Sequence, residues 1–413
     1  MQEIISQFAE EAAFLWFIRN QIVDAPHYSL NDLAQHDERL EAQIDGLRVA
    51  GDAGWEICLK MLDSSYAETV FAAAVLAFES GDEIRIQAVM ESIGEDHKSS
   101  RAFVSALGWL TYEQAAPHID RFLNAELPIH RYIGIAASTI QRYDPGHHLD
   151  KAAMDTFPLL AARALRAYGE LGRSISLNHS SLRENLSDND DGIRFSTAWS
   201  AALAGNVEAV EALKEFVRPD SAYNLKALNA ALRRMSLPSA ISWQKQLATS
   251  TDTERMAIIG AGIIGDSSLV PWLIDRMKAP ELARVAGEAF TMITGIDNEL
   301  VEMQGACPED FNAGPNDDPQ DNNVAMDADD NLPWPNAELL VEWWKSNQGN
   351  YQAGTRHLMG KPVTSENLRH VLKTGLQRQR AAAALELAII QPGRPLFNVR
   401  APGGRQEAEV GSI

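Results

Sequence analysis

Gly260, Gly262 and Gly265 spell GAGIIG, the spacing at which a glycine turn brings a pyrophosphate against a helix N-terminus. That use needs a strand before the turn. Glu254 to Ile259 reads as helix instead, so these glycines are expected to serve close helix packing and a turn, with no cofactor. Asp327, Asp329, Asn331 and Glu338 occupy the first, third, fifth and twelfth places of an EF-hand calcium loop. Leu332 stands where such a loop needs glycine, and Pro333 and Pro335 interrupt the chain, so a solvated acidic loop without metal is expected. His147 and His148 would point about 100 degrees apart on a helix and so cannot share a metal there; a solvated turn after Asp144-Pro145-Gly146 is the simpler account. Arg356-His357, Arg369-His370, Arg378 and Arg380 support two readings, a phosphate-binding patch or an ion-pair network that docks the C-terminal part of the chain.

HExxH, G-x-S-x-G, P-loop and clustered Cys/His signatures are all missing, so no catalytic, metal or cofactor residue is assigned and a non-enzymatic role is expected. An enzyme whose acid and base converge only in three dimensions is the alternative. The formal net charge of -21 argues against nucleic acid or an anionic membrane as the main partner and for a basic protein. The candidate contacts are Asp317, Asp318, Asp321, Asp327, Asp329 and Asp330 in one acidic stretch, with Trp343 and Trp344 as interface anchors or, alternatively, core residues. Lys345 to Arg405 runs the other way, with 10 Lys or Arg against 2 Asp or Glu, a net of +8 that leaves -29 elsewhere.

The elements that position these residues are expected to be helices. Alanine is abundant, aromatics are only 7%, and Ala, Leu, Glu and Arg lose little freedom in a helix. The hydrophobic and charged fractions, 45% and 23%, are those of a folded chain, and 413 residues suit two or more domains or an elongated array. Acidic residues precede the first apolar run and no uninterrupted apolar stretch reaches about 18 residues, so neither a secretory signal nor a membrane span is expected. Cys58 and Cys307 lie far apart, as a reducing compartment permits, and a cytoplasmic location follows.

Gly262 to Gly295, GIIGDSSLVPWLIDRMKAPELARVAGEAFTMITG, reads as a helical hairpin. Leu269, Trp272, Leu273 and Met277 share one face, and Leu282, Val285, Ala286, Ala289 and Phe290 share the next. With Gly265-Asp266 at the turn, Pro271 early in the first helix and an Ala-rich second helix, it resembles the HEAT-like repeat. Weaker copies fall at Gly51 to Glu79, Gln114 to Arg142 and Ala201 to Val217. The expected fold is all-α, a HEAT-like α-solenoid over 1–305, an acidic Asp/Asn/Pro-rich linker over 306–336, and a small C-terminal helical unit with its tail over 337–413.

The strings YQAGTRHLMGKPVT, GLQRQRAAAALELA and PGRPLFNVRAPGGRQ, together with GDAGWEICLKML near the N-terminus, resemble a family of proteobacterial proteins encoded near type VI secretion genes. The resemblance implies a role beside a secreted effector, as the immunity protein that sequesters a toxin such as a nuclease. An adaptor or chaperone that loads an effector onto the secretion machinery is the alternative it leaves.

Overall fold

Helix boundaries follow from local chemistry. Ser29 with Asp32, and Thr111 with Gln114, form capping boxes that satisfy the first amides of Leu30–Ala50 and Tyr112–Leu123. Pro128, Pro158 and Pro280 each open a helix, where a missing N–H costs nothing. Gly81, Gly265 and Gly295 close helices in the left-handed conformation. The computed structural model describes residues 2–62, 66–92, 97–173, 179–296, 303–309, 311, 313–315, 324 and 326–411. Among these the fold is all-α, and the only strands are the two-residue pair His357–Leu358 and Lys361–Pro362. No helix among the described residues is long and apolar enough to cross a membrane.

The chain divides into two compact units, one of residues 1–24, 28–204 and 391–413, the other of 25–27 and 205–390. These limits do not coincide with the 305 and 336 boundaries read from sequence. The helices on either side of the acidic stretch belong to the same unit, and residues 391–413 belong with the N-terminal helices.

In the first unit, helices Ala67–Ser80, His97–Trp109, Pro128–Ile140, Pro158–Glu170 and Asp191–Leu203 each pack on the next. They start about thirty residues apart, and from His97–Trp109 onward each is preceded by a shorter helix that completes a hairpin. Their shared core includes Phe71, Phe78, Phe103, Phe122, Leu165 and Tyr168. Runs such as Ala72–Ala74 keep the neighbouring axes close, because a methyl is all that must fit between them. The second unit repeats the arrangement with Asn224–Arg234, Thr251–Ile264 and Pro280–Thr294. We call these consecutive members the stacked helices.

The expected hairpins at 51–79, 114–142 and 262–295 are present. Ala201 to Val217 is not one. It joins the end of Asp191–Leu203 to the short helix Ala209–Lys214, a link between hairpins whose composition imitates a repeat. GAGIIG lies where helix packing needs it: Gly260 and Gly262 are inside Thr251–Ile264, and a Cβ on Gly262 would meet the Ala289 Cα at 3.0 Å.

Each unit is closed by a strap drawn from later in the chain. In the second unit the His357 amide donates to the Gly265 carbonyl (2.8 Å), Met359 to Met292 (2.9 Å) and Gly360 to Ile293 (3.1 Å), while the Arg356 guanidinium takes the Leu232 and Met235 carbonyls (2.8 and 2.9 Å). These acceptors lie at or beside the C-terminal ends of the three stacked helices, whose last carbonyls have no partner within the helix. The first unit uses 394–405 in the same way. The Leu396 amide donates to Glu170 O (2.9 Å), Asn398 Nδ2 to Ile140 O (3.0 Å), and Arg405 to Gly108 O and Leu110 O (3.1 and 2.8 Å).

Candidate partner-binding face

Residues 101, 132, 163 and 194 follow one another at an even interval of about thirty-one, and each lies on a different stacked helix of the first unit. They are Arg101, Tyr132, Arg163 and Arg194, at the fourth to sixth position of their helices. Equivalent positions on consecutive stacked helices share a face, so the repeat turns one residue per helix into a ladder.

Arg101 is exposed, donates to the Asn20 side-chain oxygen at 2.8 Å, and forms no ion pair among the described residues. Burial of part of its side chain and the nearby Arg400 charge push its pKa down. Tyr132 is half-buried; burial raises its pKa, and the charges of Arg163, Glu170 and Arg101 all act on it. Arg163 Nη2 meets Glu170 Oε2 at 3.0 Å, whereas Arg163 Nη1 is buried with no hydrogen-bond partner. Arg194 is held locally by Asp191 Oδ1 and the Asp188 carbonyl.

Glu170 is the carboxylate at the centre of this cluster. Burial alone would raise its pKa, but the charges of Arg163, Arg166 and Arg142 outweigh that and lower it to about 2. Three guanidiniums thus share Glu170, and the charge of Glu409 also acts on Arg142. Arg166 also lies over the Trp199 ring at 4.1 Å, joining Pro158–Glu170 to Asp191–Leu203. The sequence reading missed this face. The thirty-one-residue interval is the signal that marks it, and it is visible only when the copies are laid in register.

The residues singled out from sequence lie elsewhere. Asp317, Asp318 and Asp321 fall outside the described residues. Asp327 is paired with Arg284, and Asp329, buried, is held by both terminal nitrogens of Arg255, with Nη1 to Oδ2 at 2.8 Å. Arg284 is further stacked on Trp334 (4.7 Å) and Phe311 (5.7 Å). At Asp327 and Asp329 the loop is therefore docked on its own unit rather than solvated, whereas Val324, Met326 and Asp330 are exposed. Trp344 is buried; Trp343 is partly exposed, with its ring 5.8 Å from Phe290. Trp344 is thus a core residue, while Trp343 packs on Phe290 and keeps part of its surface exposed.

Of the C-terminal arginines, Arg356, Arg378 and Arg380 dock internally, whereas Arg369 is half-buried and His370 exposed. Arg378 makes a bidentate contact with Glu288 (2.8 Å to each oxygen), Arg380 is buried against Leu372 O and Gln377, and Arg356 belongs to the strap. His147 and His148 begin a short helix, His147–Ala153, rather than a turn, with their rings 4.1 Å apart. They line a cavity of about 380 Å³ with Arg131 and Lys151, but Arg131 is already engaged by Asp155 and two backbone carbonyls. Among the described residues, no group of three or more His, Cys, Asp or Glu side chains is placed to hold a metal ion.

No protein-family model matches this chain, and no curated protein matches it either.

Proposed function

We propose that the chain is a protein-binding helical-repeat protein that sequesters a secreted effector, acting as an immunity protein of a type VI secretion system and not as an enzyme. The observation that carries the binding role is the ladder of Arg101, Tyr132 and Arg163 on adjacent stacked helices. Arginine and tyrosine are enriched among the residues that carry binding energy at protein interfaces, and helices hold them at fixed spacing. The link to secretion rests on the resemblance of the C-terminal strings. Two of those strings supply the straps, so their likeness speaks first for shared architecture.

The test is to capture the tagged full-length chain from its own cells with its partner, then express that partner alone and together with the chain. Growth arrest by the partner alone, relieved by co-expression, is the expected result. A partner that is harmless, or that belongs to the export apparatus, overturns the immunity reading and favours the adaptor.

A further inference from the structure

Two of the three stacked helices of the second unit carry arginine at the same place as the ladder of the first: Arg255 and Arg284 are the fifth residues of Thr251–Ile264 and Pro280–Thr294, as Arg101 and Tyr132 are of theirs, while Asn224–Arg234 has Leu228 there. There the ligand is visible. It is the chain's own Asp327-Ala328-Asp329 segment, with one carboxylate on each arginine of adjacent helices and the rings of Phe311 and Trp334 beside Arg284. Two carboxylates two residues apart in an irregular segment thus span one helix-to-helix step of the stack.

In the first unit, Arg101 and Arg163 meet no such segment among the described residues. Arg101 makes no ion pair there, although the charges of Asp24 and Glu68 act on it, and Glu170 is shared among three arginines, of which Arg142 also feels Glu409. A carboxylate brought to the exposed Arg101 guanidinium would make a charge-assisted bond there, as Asp329 makes with Arg255.

We infer that the Arg101–Tyr132–Arg163 face is a docking site for an acidic peptide segment of a protein partner, carrying Asp or Glu at alternate positions beside an aromatic residue. This rests on the protein-binding role proposed above and names the chemistry of the contact. An overall charge of -21 makes polyanionic nucleic acid the poorer occupant, because its long-range repulsion exceeds that of a short segment with a few carboxylates.

The probe is a fluorescein-labelled peptide of residues 324–336, VAMDADDNLPWPN, added to the full-length protein and followed by anisotropy, beside a version with the three aspartates changed to asparagine. The aspartate peptide is expected to bind and the asparagine peptide not. R101Q, a change at an exposed side chain, should weaken binding several-fold, and R101Q with R163K by at least about tenfold, with helical circular dichroism unchanged. Raising the salt should weaken binding in the wild type more than in the double variant.

The inference fails if the peptide does not bind at about 1 mM. It also fails if the ladder variants bind as tightly as wild type, if binding depends on Arg255 and Arg284 instead, or if a single-stranded oligonucleotide displaces the peptide from the ladder. An effector that is captured and neutralised equally well by R101Q/R163K would sink the ladder while leaving the immunity role standing. Ladder-dependent peptide binding without a toxic partner would do the reverse.

Discussion

At residue scale, the charges that matter most are held inside the chain. Glu170 has its pKa lowered to about 2 in the folded state from an ordinary value near 4.5, so its contribution to stability is fully present above about pH 4.5 and is lost as pH falls through 2. Glu170→Gln should therefore cost about 3 kcal/mol near neutrality, and urea titrations across a pH series should show the gap to wild type closing between pH 4.5 and 2. Asp329→Ala strands the Arg255 guanidinium and should lower stability by about 1–2 kcal/mol, where a freely solvated loop residue would change it by less than about 0.5. Cys58 is buried, which pushes its thiol up to about 12, whereas Cys307 is exposed. One equivalent of maleimide should label the native protein, at Cys307, and two the unfolded chain; rapid native labelling of Cys58 would contradict its burial. The acidic stretch was legible from sequence as a charge run. Its partners Arg255 and Arg284 were not, because they lie 74 and 43 residues away in sequence, and composition carries no record of which charges meet.

At element scale, the helix ends explain why glycine closes the stacked helices. A Cβ on Gly265 would lie 2.2 Å from the His357 carbonyl oxygen, and one on Gly172, which follows Pro158–Glu170, 2.3 Å from the Arg394 oxygen. Both glycines also have positive φ, +72° and +65°. Gly265→Ala should destabilise the second unit by about 2 kcal/mol or more, and hydrogen exchange should rise at the His357, Met359 and Gly360 amides while the cores of the hairpins stay protected. Protection unchanged at those three amides would remove the strap from the account. The hairpins themselves were readable from alanine runs, early prolines and glycine stops, since these signals act within a single turn of helix. Ala201 to Val217 misled because a link between two hairpins has the same composition as a link within one. The straps had no periodic signal at all, being irregular segments whose shape is set by the carbonyls they cover.

At the scale of the whole molecule, net charge and local charge point in different directions. The value of -21 favours encounter with a basic protein, while the ladder concentrates cations on one face, so a single partner with both signs would be steered by one and seated by the other. The C-terminal residues were read as a separate helical unit because a linker-like composition precedes them. Sequence distance hid that 391–413 complete the unit begun by residue 2. Deleting residues 391–413 exposes the ends of the first unit's stacked helices and should lower that unit's melting temperature while leaving the second unit's transition in place, as resolved by calorimetry. A single shared loss in both transitions would show that the units do not unfold separately. The same topology sets an order in time. Residues 391–411 leave the ribosome only after all of 205–390, so the first unit, although synthesised first, holds its helix ends unsealed throughout the making of the second, and a ribosome that stalls in between releases a product recognisable by those open ends.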